Sequence, residues 1–172
     1  MKLIEVSDTV IESENVLAAL KSSELSLSHG AEILFLGVVR NINLGRAVEA
    51  VAYDAFAPLA EKTLAEIADE ARAKFAGTSG VPLHAVIYHR TGKLKVGEVS
   101  LAIAVSSRHR DEAYEASRYI IEEIKERAPI WKKEFYTDGE SDWLKGHALC
   151  AHGPKKDRAG SHSHGDEHSE KS

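Results

Sequence analysis

Pro129 divides the stretch from Asp111 to Tyr136 into two halves of different period, and this break constrains the fold more than any other feature of the chain. Before it, Ala113, Ala116, Ile120, Ile121 and Ile124 recur at helical spacing and form one apolar stripe. Pro129 disfavours helix for Ala128 and so ends the helix. Beyond it, Trp131 and Phe135 alternate with Lys132 and Glu134, which predicts a short strand with an aromatic inner face and a polar outer face. Positive charge gathers at this junction, with Lys125 in the last helical turn and Lys132 in the strand. The turn can bring the two lysines together. The same residues also have an ordinary reading, because a helix C-terminus favours lysine through its dipole and a solvated strand accepts one.

Upstream, strands and helices alternate. Residues 4–6 read as a short strand, and residues 15–21 as a helix with Ser13 as its cap. The run from Ile33 to Val39, within a strand over 32–40, is apolar enough for a central place in a sheet. Asn41-Ile42-Asn43-Leu44-Gly45-Arg46 has the chemistry of a flexible loop or wide hairpin, and a strand over 48–54 follows it. Pro58 fits the first position of the next helix, whose stripe is Ala60, Leu64, Ile67, Ala68, Ala71 and Phe75, with Gly77 ending it. Residues 83–90 and 99–106 read as partnered strands with turns at Thr91-Gly92 and Val96-Gly97. Helices interleaved with hairpins imply an α+β domain built on antiparallel sheet over residues 1–146, and Trp131 is expected to anchor its core. Trp143 is expected to clamp the chain end over the sheet. From His147 to Ser172 almost nothing apolar remains, so a disordered, His-rich polar tail is expected there.

The chain's length, 172 residues, suits one domain with a substantial core. Its net charge of −5 argues against general binding to nucleic acid or to an anionic membrane, and an anionic ligand must be met by a local basic pocket. No apolar run reaches the length of a membrane span, and the N-terminus turns acidic too soon for a signal peptide, so the expected location is cytoplasmic. A single cysteine, Cys150, excludes an internal disulfide and a multi-cysteine zinc site, and it reads as an incidental surface thiol.

Arg40 closes an apolar strand directly before the Asn/Gly loop, and His109 and Arg110 stand where the last helix begins. Helix N-termini attract phosphate and carboxylate groups. Arginine offers phosphate a two-pronged fork, whereas lysine loses its proton readily when desolvated. Arg40, His109, Arg110, Lys125 and Lys132 together therefore suit holding an anion while protons or acyl groups move beside it. Taken singly, Arg40 also reads as an edge-strand charge and His109 as a helix-start histidine. His152, His162, His164 and His168 in the tail have side chains able to bind zinc, nickel or copper, but their flexible Ser/Gly setting reads as a solvated appendage, and no metal site is assigned. There is no Gly-rich phosphate loop, serine elbow or CxxC pair, so no cofactor is expected and any reactive sulfur must come from outside.

Four runs in this order resemble the MoaE family, the large subunit of molybdopterin synthase. They are residues 37–45 (Gly-Val-Val-Arg-Asn-Ile-Asn-Leu-Gly), His89-Arg90-Thr91-Gly92 with Val96-Gly97-Glu98, residues 106–110 (Ser-Ser-Arg-His-Arg), and residues 125–134 (Lys-Glu-Arg-Ala-Pro-Ile-Trp-Lys-Lys-Glu). The resemblance covers residues 4–146. It implies an α/β hammerhead fold and a homodimer within a heterotetramer, with a small MoaD-like subunit of ubiquitin fold docked at each end. That partner's C-terminal Gly-Gly would carry a thiocarboxylate whose sulfur passes to cyclic pyranopterin monophosphate, two transfers making the dithiolene of molybdopterin for molybdenum cofactor biosynthesis. The resemblance further implies that Lys125 is the principal catalytic lysine and Lys132 the second, with Lys133 and Glu134 completing the substrate pocket. Arg40, His109 and Arg110 would bind the anion, in part across the dimer. Lys133 stands where many relatives carry arginine, which keeps the charge and loses the fork. An alternative is a non-catalytic adaptor whose cationic groove binds an anionic peptide terminus.

Overall fold

The computed structural model describes residues 2–76 and 80–140. Gly77, Trp143, Cys150, the boundary expected near Gly146 and the tail 147–172 lie outside the described residues. In chain order the elements are β1 (Ile4–Ser7), α1 (Ser13–Lys21), a short 3-10 helix at Glu24–Ser28, β2 (Ala31–Val38), β3 (Ile42–Asn43), β4 (Arg46–Ala55), α2 (Ala57–Lys74), β5 (His84–Arg90), β6 (Gly92–Lys95), β7 (Val99–Ser107), α3 (Arg110–Arg127), β8 (Ile130–Tyr136) and β9 (Gly139–Glu140). The α+β expectation holds.

One sheet runs β1-β5-β7-β2, with β1 parallel to β5 and the other pairs antiparallel. Its two central strands are apolar on both faces because helices cover both. Alternate residues of β5 and β7, namely Ala85, Ile87, Leu101, Ile103 and Val105, pack with Leu64, Ile67 and Ala71 of α2 and Ile120 and Ile124 of α3. The intervening Val86, Ala102 and Ala104 pack with Val16, Ala19 and Leu20 of α1. The small alanines let α1 approach closely. Truncating a fully buried residue here, such as Ile103→Ala, costs roughly 2–5 kcal/mol.

In the second sheet β4 pairs with β8 along one edge and with β3 and β6 along the other, while β9 adds to β8. Val39, Val48, Val51, Leu94 and Tyr136 form its own buried cluster. Strand β6 was hidden between the turn signals at Gly92 and Gly97, because Gly-Lys-Leu-Lys carries only one buried apolar residue, Leu94.

Several local expectations are corrected. β2 is an edge strand, not a central one: Ala31 and Ile33 pack toward the α2–α3 core and Leu34 and Leu36 toward α1, while Phe35 and Val38 are exposed. Ser13 is the first residue of α1 and Glu12 is the capping position, with the Ser13 hydroxyl directed to Glu14 instead. Pro58 is the second residue of α2, after Ala57. The loop after Arg40 is a tight hairpin, not a wide one: Leu44 (φ 49°) and Gly45 (φ 78°) both take left-handed backbone, as a two-residue turn requires.

The faces of β8 are inverted relative to expectation. Ile130, Glu134 and Tyr136 are buried, whereas Trp131 is 42% exposed and does not anchor the core. The cause is the α3–β8 junction. Ile130 must continue the α3 stripe into the core beside Ile124, and period-two alternation then turns Trp131 outward and Lys132, Glu134 and Tyr136 to Ile130's side.

Candidate functional site

α3 carries predicted site residues at both ends. At its start His109 takes extended backbone (φ −129°, ψ 156°), and the Glu112 carboxylate accepts the His109 N–H at 3.0 Å, as in a capping box. The position of His109 is set from behind by Gly30, whose N–H donates to the carbonyls of Ser107 (3.1 Å) and Arg108 (3.3 Å). A Cβ on Gly30 would lie 2.9 Å from the Arg108 oxygen, so only glycine allows this approach. Arg110 follows with its side chain 82% exposed, its Nε 3.8 Å from Asp111.

At the other end of α3, Lys125 lines a groove of about 440 Å³ between the helix and β2, with Ile33, Leu34 and Phe35 on one wall and Tyr114, Ser117, Arg118 and Ile121 on the other. Fifteen residues separate Arg110 from Lys125 on this continuous helix, a rise of about 22 Å. Within one chain the helix therefore holds these two cations apart. None of the other six predicted site residues lines the Lys125 groove.

Lys132 sits in different surroundings, on β8. Its ammonium donates to Oε1 of Glu134, two residues along the same face. Oε2 of Glu134 accepts from the Tyr136 hydroxyl and from Asn43 Nδ2, the latter at 2.7 Å. Burial of Glu134, which is 4% exposed, would push its carboxyl up, but the bonds from Lys132, Tyr136 and Asn43 outweigh it and hold the group below the usual carboxylate range. The Glu134 carboxylate in turn holds the Tyr136 hydroxyl above its ordinary value. Lys133 points to the other face of the strand, its ammonium 5.2 Å from the centre of the Phe135 ring, away from the Glu134 network.

Arg40 emerges, exposed, just past β2. Val39 before it is pinned by two backbone bonds, its N–H to the Glu98 carbonyl at 3.0 Å and its carbonyl from the Gly97 N–H at 2.9 Å. Glu98 also meets Arg90, a buried arginine whose Nη1 lies 3.4 Å from the Glu98 carboxylate. The chain thus pairs Lys132 with Glu134, lines a groove with Lys125, and presents Arg40, His109 and Arg110 to solvent. Asn43 and Tyr136 were missed as members of the Glu134 cluster. For Tyr136 the signal was present as Lys-x-Glu-x-Tyr at strand period. Asn43 lies 91 residues from Glu134, beyond the reach of any local pattern.

Comparison with known proteins matches residues 6–127 to the family model described as MoaE protein. The molybdopterin synthase catalytic subunit of Synechococcus elongatus is 46% identical over 133 residues, covering 77% of this chain and 78% of that one. Its counterpart in Bacillus subtilis is 41% identical over 144 residues, covering 84% of this chain and 85% of its own. The crystal structure of molybdopterin synthase from Staphylococcus aureus superposes with a TM-score of 0.73 at 40% identity, covering 83% of this chain and 97% of that one. The same fold recurs, at 18% identity and a TM-score of 0.67, in a complex of subunits 1 and 2 of molybdopterin-converting factor from Helicobacter pylori. Fold, matched residues and identity agree, and the chain belongs to the MoaE family.

Proposed function

We propose that this protein is the catalytic subunit of a molybdopterin synthase, a sulfurtransferase. It takes sulfur from the C-terminal thiocarboxylate of a small ubiquitin-like subunit and delivers it to cyclic pyranopterin monophosphate, forming the dithiolene. The observation that carries this reading is the run from Lys125 to Glu134, which keeps the family's pattern apart from Lys133 and is folded so that Lys125 lines a groove beside α3 while Lys132 pairs with Glu134 on β8.

The groove beside Lys125 is lined by Ile33, Leu34, Phe35 and Ile121 together with polar side chains, and we assign it the side-chain-free Gly-Gly terminus of the partner. Lys125 then faces the thiocarboxylate carbonyl, where an ammonium stabilises negative charge that develops on oxygen. Lys132 and His109 orient the pterin, and Arg40 and Arg110 hold its cyclic phosphate with their forks. The site is taken to draw on both copies of a homodimer, as the family resemblance implies, each copy supplying one end of α3; the rise of about 22 Å between Arg110 and Lys125 supports this reading. Among the described residues no helix is long and apolar enough to cross a membrane, and we place the reaction in the cytoplasm.

The test is to combine the purified chain with a thiocarboxylated small subunit and the pterin precursor and to assay dithiolene formation. Turnover is expected. Binding of the partner's tail with no response to the precursor would instead identify a non-catalytic adaptor.

A further inference from the structure

The Glu134 carboxylate is built into the sheet at some cost, since a buried carboxylate must replace its water with donors. An apolar residue would fill the same position without that demand. The chain instead supplies Lys132, Tyr136 and Asn43 from two separate elements. Asn43 is delivered by the Leu44-Gly45 turn of the β3–β4 hairpin, and its Nδ2 also lies 3.4 Å from the Tyr136 hydroxyl. The hairpin's other leg holds Tyr136 from above, with the Arg46 guanidinium 3.7 Å over the ring and bonded to Asp138 at 2.5 and 3.2 Å. Tyr136 is thus fixed by its hydroxyl and by its ring face, and Glu134 has little freedom left. The network's cation is Lys132, whose side chain is 24% exposed.

We propose that Asn43 and Tyr136 are positioning residues for sulfur transfer, which fix the Glu134 carboxylate so that it aims the Lys132 ammonium at the substrate. This rests on the role given to Lys132 above. It makes the β3–β4 hairpin part of the active site's framework, although neither Asn43 nor Tyr136 touches the reacting atoms.

The experiment uses the full chain with its thiocarboxylated partner and the pterin precursor. Tyr136→Phe and Asn43→Ala should each lower kcat by about 10- to 100-fold, the effect of misplacing a reacting group by about 1 Å, with the KM for the small subunit unchanged. In a Lys132→Ala background, followed by single-turnover measurement, the same substitutions should have no further effect, because the group they position is gone. A readout independent of turnover is the acetylation rate of the Lys132 amine, followed by mass spectrometry, which should change in both variants while that of distant lysines does not. Equal losses of turnover with and without Lys132, or unchanged kcat and unchanged labelling in folded variants, would overturn the proposal. Full turnover in Lys132→Ala alone, with the labelling change still present, would overturn the role of Lys132 and leave the positioning geometry standing.

Discussion

Lys132 and Glu134 stand two residues apart on one strand and pair on its inward face, the carboxylate buried and the ammonium at the rim. The hydrogen bonds that hold Glu134 below its ordinary 4.5 make it a group that stabilises the fold above that pH and ceases to do so as pH falls through its lowered value. Lys132→Ala removes the charged donor. The expected result is strongly impaired dithiolene formation and a loss of roughly 1–3 kcal/mol in urea unfolding at pH 7, with the Glu134 carboxyl titrating higher by carbon-13 NMR. A variant whose carboxyl titrates as in the parent would show that the pair does not form in solution.

Lys125→Ala separates chemistry from stability. A lysine in the last turn of a helix adds less than about 1 kcal/mol to folding, whereas a charge placed at a developing oxyanion is worth about 100- to 1000-fold in rate. Turnover should fall by that factor while small-subunit affinity and melting temperature stay near the parent values. Near-parental turnover in the purified variant would remove Lys125 from the reaction.

The helix-strand alternation was legible because its signals are local: stripes on α2 and α3, a proline after Ala128, glycines at turns. The face of β8 was not. Its alternation is the same whichever side is inward, and the choice is made by Ile130, which the core beside Ile124 claims. Residues were likewise recognisable as cations without revealing their company. Arg110 and Lys125 read as members of one cluster, yet a rigid helix lies between them. The run His89-Arg90-Thr91-Gly92 proves to hold the fold together: His89 and Arg90 are buried, the Thr91 N–H donates to the Ser7 carbonyl at 2.7 Å, and Gly92 turns the chain at φ 81°.

The proposed sharing of sites across a homodimer has a quantitative signature. Arg110→Ala and Lys125→Ala chains, each nearly inactive alone, should regain activity when unfolded together and refolded. In a two-fold dimer with random mixing, about a quarter of all sites combine an intact Arg110 from one copy with an intact Lys125 from the other. Activity near that fraction is expected by the dithiolene assay. No recovery in mixed dimers of confirmed composition would mean that each site is built within a single chain.

The pH dependence of stability between 6.5 and 4 should trace largely to His89. Its ring is buried edge-on to Tyr53, with centroids 5.0 Å apart, and its Nδ1–H donates to the Arg90 carbonyl at 2.9 Å. Burial lowers its value from 6.5 to about 4, against the smaller opposing effect of that hydrogen bond. The folded chain therefore keeps the ring neutral where the unfolded chain protonates it. The stability it protects is complete above about 6.5 and is lost as pH falls toward about 4, a change of roughly 3 kcal/mol. His84 acts in the same direction, lowered by burial, Arg72 and His29, and the lowered carboxylates such as Glu134 add their own losses as pH falls through about 4.5. His89→Phe keeps a ring against Tyr53 and removes the proton site, so it should be less stable than the parent at pH 7.5 and lose less on going to pH 4.5. Urea unfolding at the two pH values measures both slopes, and parallel losses in parent and variant would acquit His89 and point to His84 instead.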